Sequence, residues 1–363
     1  MEGMRVAYTL EQCWHRVPGG TAVAALEVAR ELVALGTSEG VELVGVAGRH
    51  RHAPTANMVP PMAVRGLPLS GPYLYEAWTR LRWPKVESVV DDVDVVHSTT
   101  VIAAATKRPH VVTLHDVAFL SHPEFFTARG NRIFRRGLDN IRDEAALVLC
   151  SSKATIEDCA TYGIDRGRLR HVPLGVRSTP ATAGDIAAAR TAHALPESYA
   201  LFVGTLEPRK NLRRLIEACT EARLDVPLVV VGAQGWGESL MPTAGVDVRF
   251  LGHVPAEHLA GIYAGAEVLC YPSILEGFGL PILEAMSQGT PVVTSAGTST
   301  EEVAGGAAEL CDPMSVSSIA DAIVRARSRY DELSQAGRVR AASMTWTKTA
   351  QMTLHEYRNV AGR

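Results

Sequence analysis

Short apolar runs alternate along this chain with longer stretches whose apolar residues fall three and four apart. The runs Met4–Tyr8, Val41–Ala47, Val93–His97, His110–Leu114, Leu147–Cys150 and Leu169–Val172 have the length and composition of strands. Between the first two, Val23, Leu26, Ala29 and Val33 share one helical face from Thr21 to Leu35, and Gly36 reads as the stop signal. From Pro180 to Pro196 the chain turns Ala-rich and polar. A second series of runs follows: Tyr199–Val203, Leu228–Val231, Val248–Leu251, Val268–Tyr271, Pro291–Thr294 and Ala308–Leu310. Trp346–Val360 reads as one amphipathic helix. This alternation predicts an α/β protein with parallel sheets, and 363 residues exceed what one core usually organises. The expected division is a Rossmann-like domain over 1–180, a second over 181–345, and a terminal helix over 346–363 that packs back on the first. Two such sheets in succession predict a ligand cleft between their strand C-termini.

The densest chemistry lies in Glu276-Gly277-Phe278-Gly279-Leu280-Pro281-Ile282-Leu283-Glu284. A Gly-x-Gly turn runs into Pro281, which suits the start of a helix because its missing N–H would be unpaired there. Such a loop presents backbone N–H groups where an anion is held. Glu276 lies on the loop and Glu284 about one turn inside the helix. A phosphate at the helix start, with a carboxylate on each side for hydroxyl groups, describes a sugar-nucleotide pocket; a capped surface helix is the plainer alternative. In Val203-Gly204-Thr205-Leu206-Glu207-Pro208-Arg209-Lys210-Asn211 a strand ends in glycine and a turn presents adjacent cations. Arg209 offers a bidentate fork and Lys210 a mobile point charge. Both would act most strongly on a leaving diphosphate whose charge grows as the glycosidic bond breaks, unless they are merely solvated. Val17-Pro18-Gly19-Gly20-Thr21 permits close backbone approach to a ligand, or is an ordinary loop. His115, in Thr113-Leu114-His115-Asp116, ends a strand, where a structural histidine is the alternative to a catalytic one.

Together these segments resemble the group 1 (family four) retaining glycosyltransferases, enzymes of the two-Rossmann GT-B architecture. The resemblance covers nearly the whole chain. It is most specific in the E-x7-E pattern with its Gly-Phe-Gly and Glu-Ala-Met, and in Glu-Pro-Arg-Lys-Asn; Thr205 departs from the Arg that many relatives carry there. The resemblance implies Arg209 and Lys210 on the donor diphosphate, Glu276 on hydroxyls of the transferred sugar, Glu284 on the ribose, and Gly20 with the N–H groups of Gly279 and Leu280 on phosphate. It makes His115 and Glu276 the catalytic pair. Phe250-Leu251-Gly252-His253-Val254 matches the loop that meets the nucleotide base, which brings in Gly252, His253 and Val254. Val172-Pro173-Leu174-Gly175-Val176 matches the segment closing the first domain, and Ser273 is a further candidate for a hydrogen bond to the donor.

The implied reaction is a front-face displacement in which the departing phosphate takes the acceptor's proton. The implied donor is a GDP- or UDP-sugar, with no cofactor and no metal. The His-Asp-Val-Ala-Phe and Glu-Pro-Arg-Lys-Asn forms look most like bacterial mannosyl- or related hexosyltransferases of surface polysaccharide assembly. Transfer of a hexose, mannose favoured, to a glycan or lipid-linked acceptor is therefore expected. A GT-B-fold epimerase or phosphorylase and a non-catalytic sugar-nucleotide-binding protein are the alternatives. A dehydrogenase is disfavoured, since no strand is followed by G-x-G-x-x-G with an acidic residue about 20 positions later.

Composition narrows the setting. The net charge of −3 includes no half basic enough for a nucleic-acid partner. Six scattered cysteines without a C-x-x-C pair suit reduced thiols in a cytoplasmic protein, as do the lack of a spanning apolar run and of a visible signal peptide. The stretch 125–142, with Arg129, Arg132, Arg135, Arg136 and Arg142, and the run Trp78-Thr79-Arg80-Leu81-Arg82-Trp83-Pro84-Lys85 are candidate faces for an acceptor or for peripheral contact with anionic lipid; a solvated helix face is the alternative. Asp92-Val93-Asp94 has the D-x-D spacing of metal-using transferases. The strand expected after it places these acids at the end away from the cleft.

Overall fold

A computed structural model describes residues 3–15, 18–233 and 245–362, so Val17 of the Gly19-Gly20 loop lies outside the described residues. The chain divides into one unit of Met1–Leu174 with Trp346–Arg363 and another of Gly175–Thr345. The division falls a few residues before position 180.

Unit 1 runs β1 (Met4–Thr9), α1 (Gly20–Glu39), β2 (Val41–Gly48), β3 (Val64–Leu67), α2 (Gly71–Leu81), β4 (Val95–Ser98), β5 (His110–Leu114), α3 (Ala118–Ser121), α4 (Ala128–Glu144), β6 (Leu147–Cys150), α5 (Lys153–Thr161) and β7 (Leu169–His171). Its strands pair in parallel in the order β3-β2-β1-β4-β5-β6-β7. β4 and β6 are buried along their whole length, as strands covered by helices on both faces must be. Two features differ from the sequence reading. α1 does not stop at Gly36 but continues to Glu39; Gly36 is there because a Cβ would lie 2.4 Å from the Val41 carbonyl oxygen. β3 is an edge strand of four residues with only Leu67 buried, too short and too polar to stand out.

Unit 2 runs α6 (Ala183–His193), β8 (Ala200–Val203), α7 (Leu212–Glu221), β9 (Leu228–Val231), β10 (Val248–Gly252), α8 (Ala256–Ala264), β11 (Val268–Tyr271), α9 (Leu280–Gln288), β12 (Val292–Ser295), α10 (Ser299–Ala304), β13 (Glu309–Cys311), α11 (Val316–Ser328) and α12 (Tyr330–Ser343). The sheet is again parallel, in the order β10-β9-β8-β11-β12-β13. The Ala-rich stretch after Pro180 holds a helix: Thr182 and Asp185 form a capping box that starts α6. Phe202, Leu215, Val230, Val268 and Ile323 belong to the buried core under the sheet.

α13 (Trp346–Ala361) belongs to unit 1. Its Tyr357 meets His97 on β4 at 2.5 Å, and the Thr349 hydroxyl donates to the Pro173 carbonyl at 2.8 Å.

One close approach at the ends of β8 and β9 fixes the frame of the site described next. Gly232 has φ +150°, and a Cβ there would lie 1.9 Å from the Gly204 carbonyl oxygen. Gly232→Ala is expected to destabilise unit 2 by about 3 kcal/mol or more. The contrasting variant is Gly19→Ala, where a Cβ meets nothing within 4 Å and the change costs only the roughly 1 kcal/mol by which alanine caps α1 less well than glycine. Urea unfolding midpoints compare the two.

Candidate functional site

In unit 2 the strand order reverses between β8 and β11, and ligands of open parallel sheets bind beyond the strand C-termini at such a point. After β8, Pro208–Lys210 forms a single 3-10 turn that Asn211 closes in the left-handed region, at φ +63°. The Asn211 side-chain amide donates to the carbonyls of Pro272 (2.9 Å) and Pro313 (2.7 Å). The Ile274 N–H donates to the Arg209 carbonyl at 2.8 Å. These bonds tie the cation turn to the loop after β11 and bring Arg209 and Lys210 onto Glu276.

The contacts are close. Arg209 Nη1 donates to Glu276 Oε2 at 3.0 Å and Lys210 Nζ to Glu276 Oε1 at 2.5 Å. Arg209 Nε also donates to Glu207 Oε2 at 2.8 Å. The Tyr271 hydroxyl accepts from Lys210 Nζ at 2.5 Å and donates to Glu276 Oε1 at 2.9 Å. Nζ also stands 4.9 Å from the centre of the Tyr271 ring, a cation–π distance. The Glu276 side chain is 7% exposed. Burial pushes its carboxyl up, but Lys210 and Arg209 outweigh that and hold it down to about 2. Burial in turn pulls the Lys210 ammonium down against the pull of Glu276. The carboxylate is the more firmly ionised partner because it faces two cations.

Gly279, at φ +109°, turns the chain into α9, with Leu280 as its first residue and Pro281 in its first turn. Glu284 is not in the charge cluster: its carboxylate accepts from the Tyr263 hydroxyl of α8 at 2.6 Å, and burial pushes it up. Gly252 ends β10, His253 is exposed and Val254 is buried. Ser273 is fully buried, and its carbonyl accepts from the Ser295 hydroxyl at 2.6 Å. The structure therefore gathers Arg209, Lys210 and Glu276 and leaves Glu284 and the 252–254 segment outside that cluster.

Gly20 and His115 lie in unit 1, Gly20 as the first residue of α1 and His115 just after β5. The His115 carbonyl accepts from the Ser151 and Thr155 hydroxyls, and burial holds its imidazole down to about 4. Tyr271, Tyr263 and Glu207 were not singled out in the sequence. The signal for Tyr271 is a polar tip ending an otherwise apolar strand, five residues before Glu276.

The two basic stretches are largely committed elsewhere. Trp78 is 1% exposed and donates to the Pro84 carbonyl, and the Arg82 guanidinium serves Glu144 and the carbonyls of Trp78, Ala103 and Ala104. On α4, Arg129 and Arg136 pair with Glu76, and Arg142 pairs with Asp139 and Asp143, while Arg132 is exposed. Among the described residues no helix is long and apolar enough to cross a membrane. Asp94 accepts from the Arg5 N–H at 2.8 Å just before β4 begins. Among the described residues no three His, Cys, Asp or Glu side chains gather as a metal site.

Residues 18–179 match the model of Glycosyltransferase Family 4, and residues 185–339 match that of Glycosyl transferases group 1. The chain is 34% identical over 272 residues to the O-antigen chain mannosyltransferase B of Escherichia coli, across 68% of this chain and 70% of that protein. It is 33% identical over 218 residues to a D-inositol 3-phosphate glycosyltransferase of Nocardia farcinica, across 54% of this chain and 48% of that one, so it spans about half of that relative's length. Among solved structures, a sucrose-phosphate synthase of Thermosynechococcus elongatus superposes with a TM-score of 0.74 at 19% identity, over 99% of both chains. Anabaena HepE in complex with UDP and glucose superposes with a TM-score of 0.72 at 18% identity, over 97% of this chain and 99% of that one.

Proposed function

The chain belongs to the group 1, family four glycosyltransferases, nucleotide-sugar-dependent enzymes of two Rossmann-like domains, and we propose that it transfers a hexose, mannose favoured, with retention of configuration. The donor in this reading is a GDP- or UDP-sugar, and the acceptor is a glycan or a lipid-linked glycan in surface polysaccharide or glycolipid synthesis. The observation that carries it is the convergence of Arg209, Lys210 and Glu276 at the strand-order reversal of unit 2. Mannose is favoured because a relative 34% identical across 68% of this chain is a mannosyltransferase of O-antigen chains. The UDP-bound Anabaena structure supports a nucleoside diphosphate as the shared donor element.

Arg209 and Lys210 meet the diphosphate, whose growing charge as the glycosidic bond breaks strengthens both contacts in the transition state. The N–H groups of Gly279 and Leu280 at the start of α9 add to that charge stabilisation, and Gly20 contributes from unit 1, so no metal is needed. Glu276 accepts hydrogen bonds from hydroxyls of the transferred sugar. With Glu276 engaged by those hydroxyls and Glu207 held on Arg209, the reaction in this reading is a front-face displacement in which the departing phosphate takes the acceptor's proton. Glu284 takes the ribose, Gly252, His253 and Val254 take the base, and neutral His115 hydrogen-bonds the donor beside the reacting bond. The 1–180 domain takes the acceptor and the 181–345 domain the donor, in a cytoplasmic enzyme in which the exposed Arg132 and Arg135 of the 125–142 stretch are the cations left to meet anionic lipid. Co-sedimentation with anionic vesicles tests that contact.

Thermal shift with GDP-, UDP- and ADP-sugars tests the donor assignment. A donor at about 100 times its Kd stabilises the native state by about 2.7 kcal/mol, a rise of several degrees. Absence of a shift with all three would remove the donor-site reading.

A further inference from the structure

Arg209 and Lys210 are the cations assigned above to the diphosphate, and both already face carboxylates. Glu276 bonds both of them, and Glu207 bonds Arg209 a second time. Two cations and two carboxylates leave the cluster with no net charge. The Lys210 side chain is 9% exposed and that of Glu276 7%, so solvent ions screen the pair weakly. A diphosphate that takes these cations therefore competes with Glu276 for them. Glu207 reaches only Arg209, whereas Glu276 has one oxygen on each cation. Its Oε1 also accepts from Tyr271, whose hydroxyl accepts in turn from Lys210.

We infer that Glu276 is an internal competitor of the donor diphosphate: the diphosphate displaces its carboxylate from Arg209 and Lys210, and the released oxygens take the hydroxyls of the transferred sugar. Tyr271 is a positioning residue that holds the carboxylate and the ammonium in register and keeps its hold on Lys210 after the exchange. The inference rests on the donor-site reading above. It makes diphosphate and sugar binding interdependent. A nucleoside diphosphate without a sugar breaks the Glu276 contacts and returns nothing to that carboxylate, whereas an intact donor does.

Calorimetric titration of GDP and of UDP into the full chain tests this, using wild type, Glu276→Gln, Tyr271→Phe and Lys210→Met. For whichever nucleotide binds wild type, Glu276→Gln should bind it about 10-fold more tightly, a typical coupling between sites, while transfer is lost. Tyr271→Phe should bind it about 2- to 5-fold more tightly. It should also lower kcat more than it changes the donor KM, a split that loss of stability alone does not produce. If Lys210→Met abolishes nucleotide binding and Glu276→Gln leaves it unchanged or weaker, the exchange is overturned and the donor site stands. If neither nucleotide binds wild type, or Lys210→Met binds as well as wild type, the donor site falls and the exchange with it. Should Glu276→Gln fail to fold, the nearly isosteric Tyr271→Phe decides alone: tighter binding supports the exchange, and unchanged binding overturns it.

Discussion

Replacing Lys210 with methionine is expected to lower sugar transfer by about 100- to 1,000-fold, the usual loss when one donor to a developing anion is removed. The same change should destabilise unit 2, because Glu276 keeps only Arg209 as a cationic partner. Removing one member of a buried ion pair costs about 3–5 kcal/mol. The effect carries a pH signature. In the wild type, burial raises Glu276 and the two cations outweigh it, holding the group at about 2 against an ordinary 4.5. A folded value below the unfolded one gives stability that is fully present above about pH 4.5 and is lost as pH falls through about 2. Without Lys210 the larger of the two attractions is gone, burial weighs more, and the folded value rises. Urea midpoints near pH 7.5, above the range in which the buried histidines of unit 1 weaken the fold, therefore read the loss. A Lys210→Met midpoint unchanged from wild type would separate Glu276 from Lys210 and contradict the pairing.

Acid is expected to unfold unit 1 well before Glu276 of unit 2 titrates. His97 and His110 are 1% and 3% exposed, and burial holds both down to about 3. The charge of Arg82 adds to the effect at His110. The hydrogen-bond partners of His97 are the Tyr357 and Thr113 hydroxyls, and that of His110 is Ser98; none is an anion that would stabilise an added proton. An unfolded histidine titrates near 6.5, so between that value and 3 the unfolded chain binds the extra protons. Stability is therefore fully present above about pH 6.5 and falls as pH drops. By pH 5 each of the two has forfeited about 2 kcal/mol. Below pH 6 these two contribute a slope approaching two protons, about 2.7 kcal/mol per pH unit, and His115, held down to about 4, adds a third proton above that value. Urea midpoints followed by tryptophan fluorescence measure this, since four of the five tryptophans, Trp14, Trp78, Trp83 and Trp346, belong to unit 1. A flat stability from pH 7 to 4.5 would show that these imidazoles are not buried neutral.

The α/β class and the two sheets were legible in the sequence because parallel strands covered on both faces are nearly continuous apolar runs. His110–Leu114, Leu147–Cys150, Leu228–Val231 and Val268–Tyr271 form strands with those bounds. What escaped notice depends on tertiary contact. Gly36 reads as a stop, yet it stands inside α1 because the helix passes against the Val41 carbonyl. The Ala-rich stretch after Pro180 shows only as a change of composition until α8 is there for α6 to cover. In the site, Arg209, Lys210 and Glu276 were each visible as chemistry-bearing residues. Their pairing across 66 and 67 positions was not, because no local spacing encodes it. Tyr271 was counted as the last apolar residue of a strand, and only its hydroxyl between Lys210 and Glu276 shows otherwise.

Hydrogen–deuterium exchange with saturating GDP or UDP tests the donor site most directly. Slower exchange in peptides covering 203–211 and 273–284, where the cation turn, Glu276 and the start of α9 lie, is the predicted result, with further protection at 250–254, assigned to the base, and around Gly20. Nucleotide binding that protects other parts of the chain and leaves those two segments unchanged would contradict it.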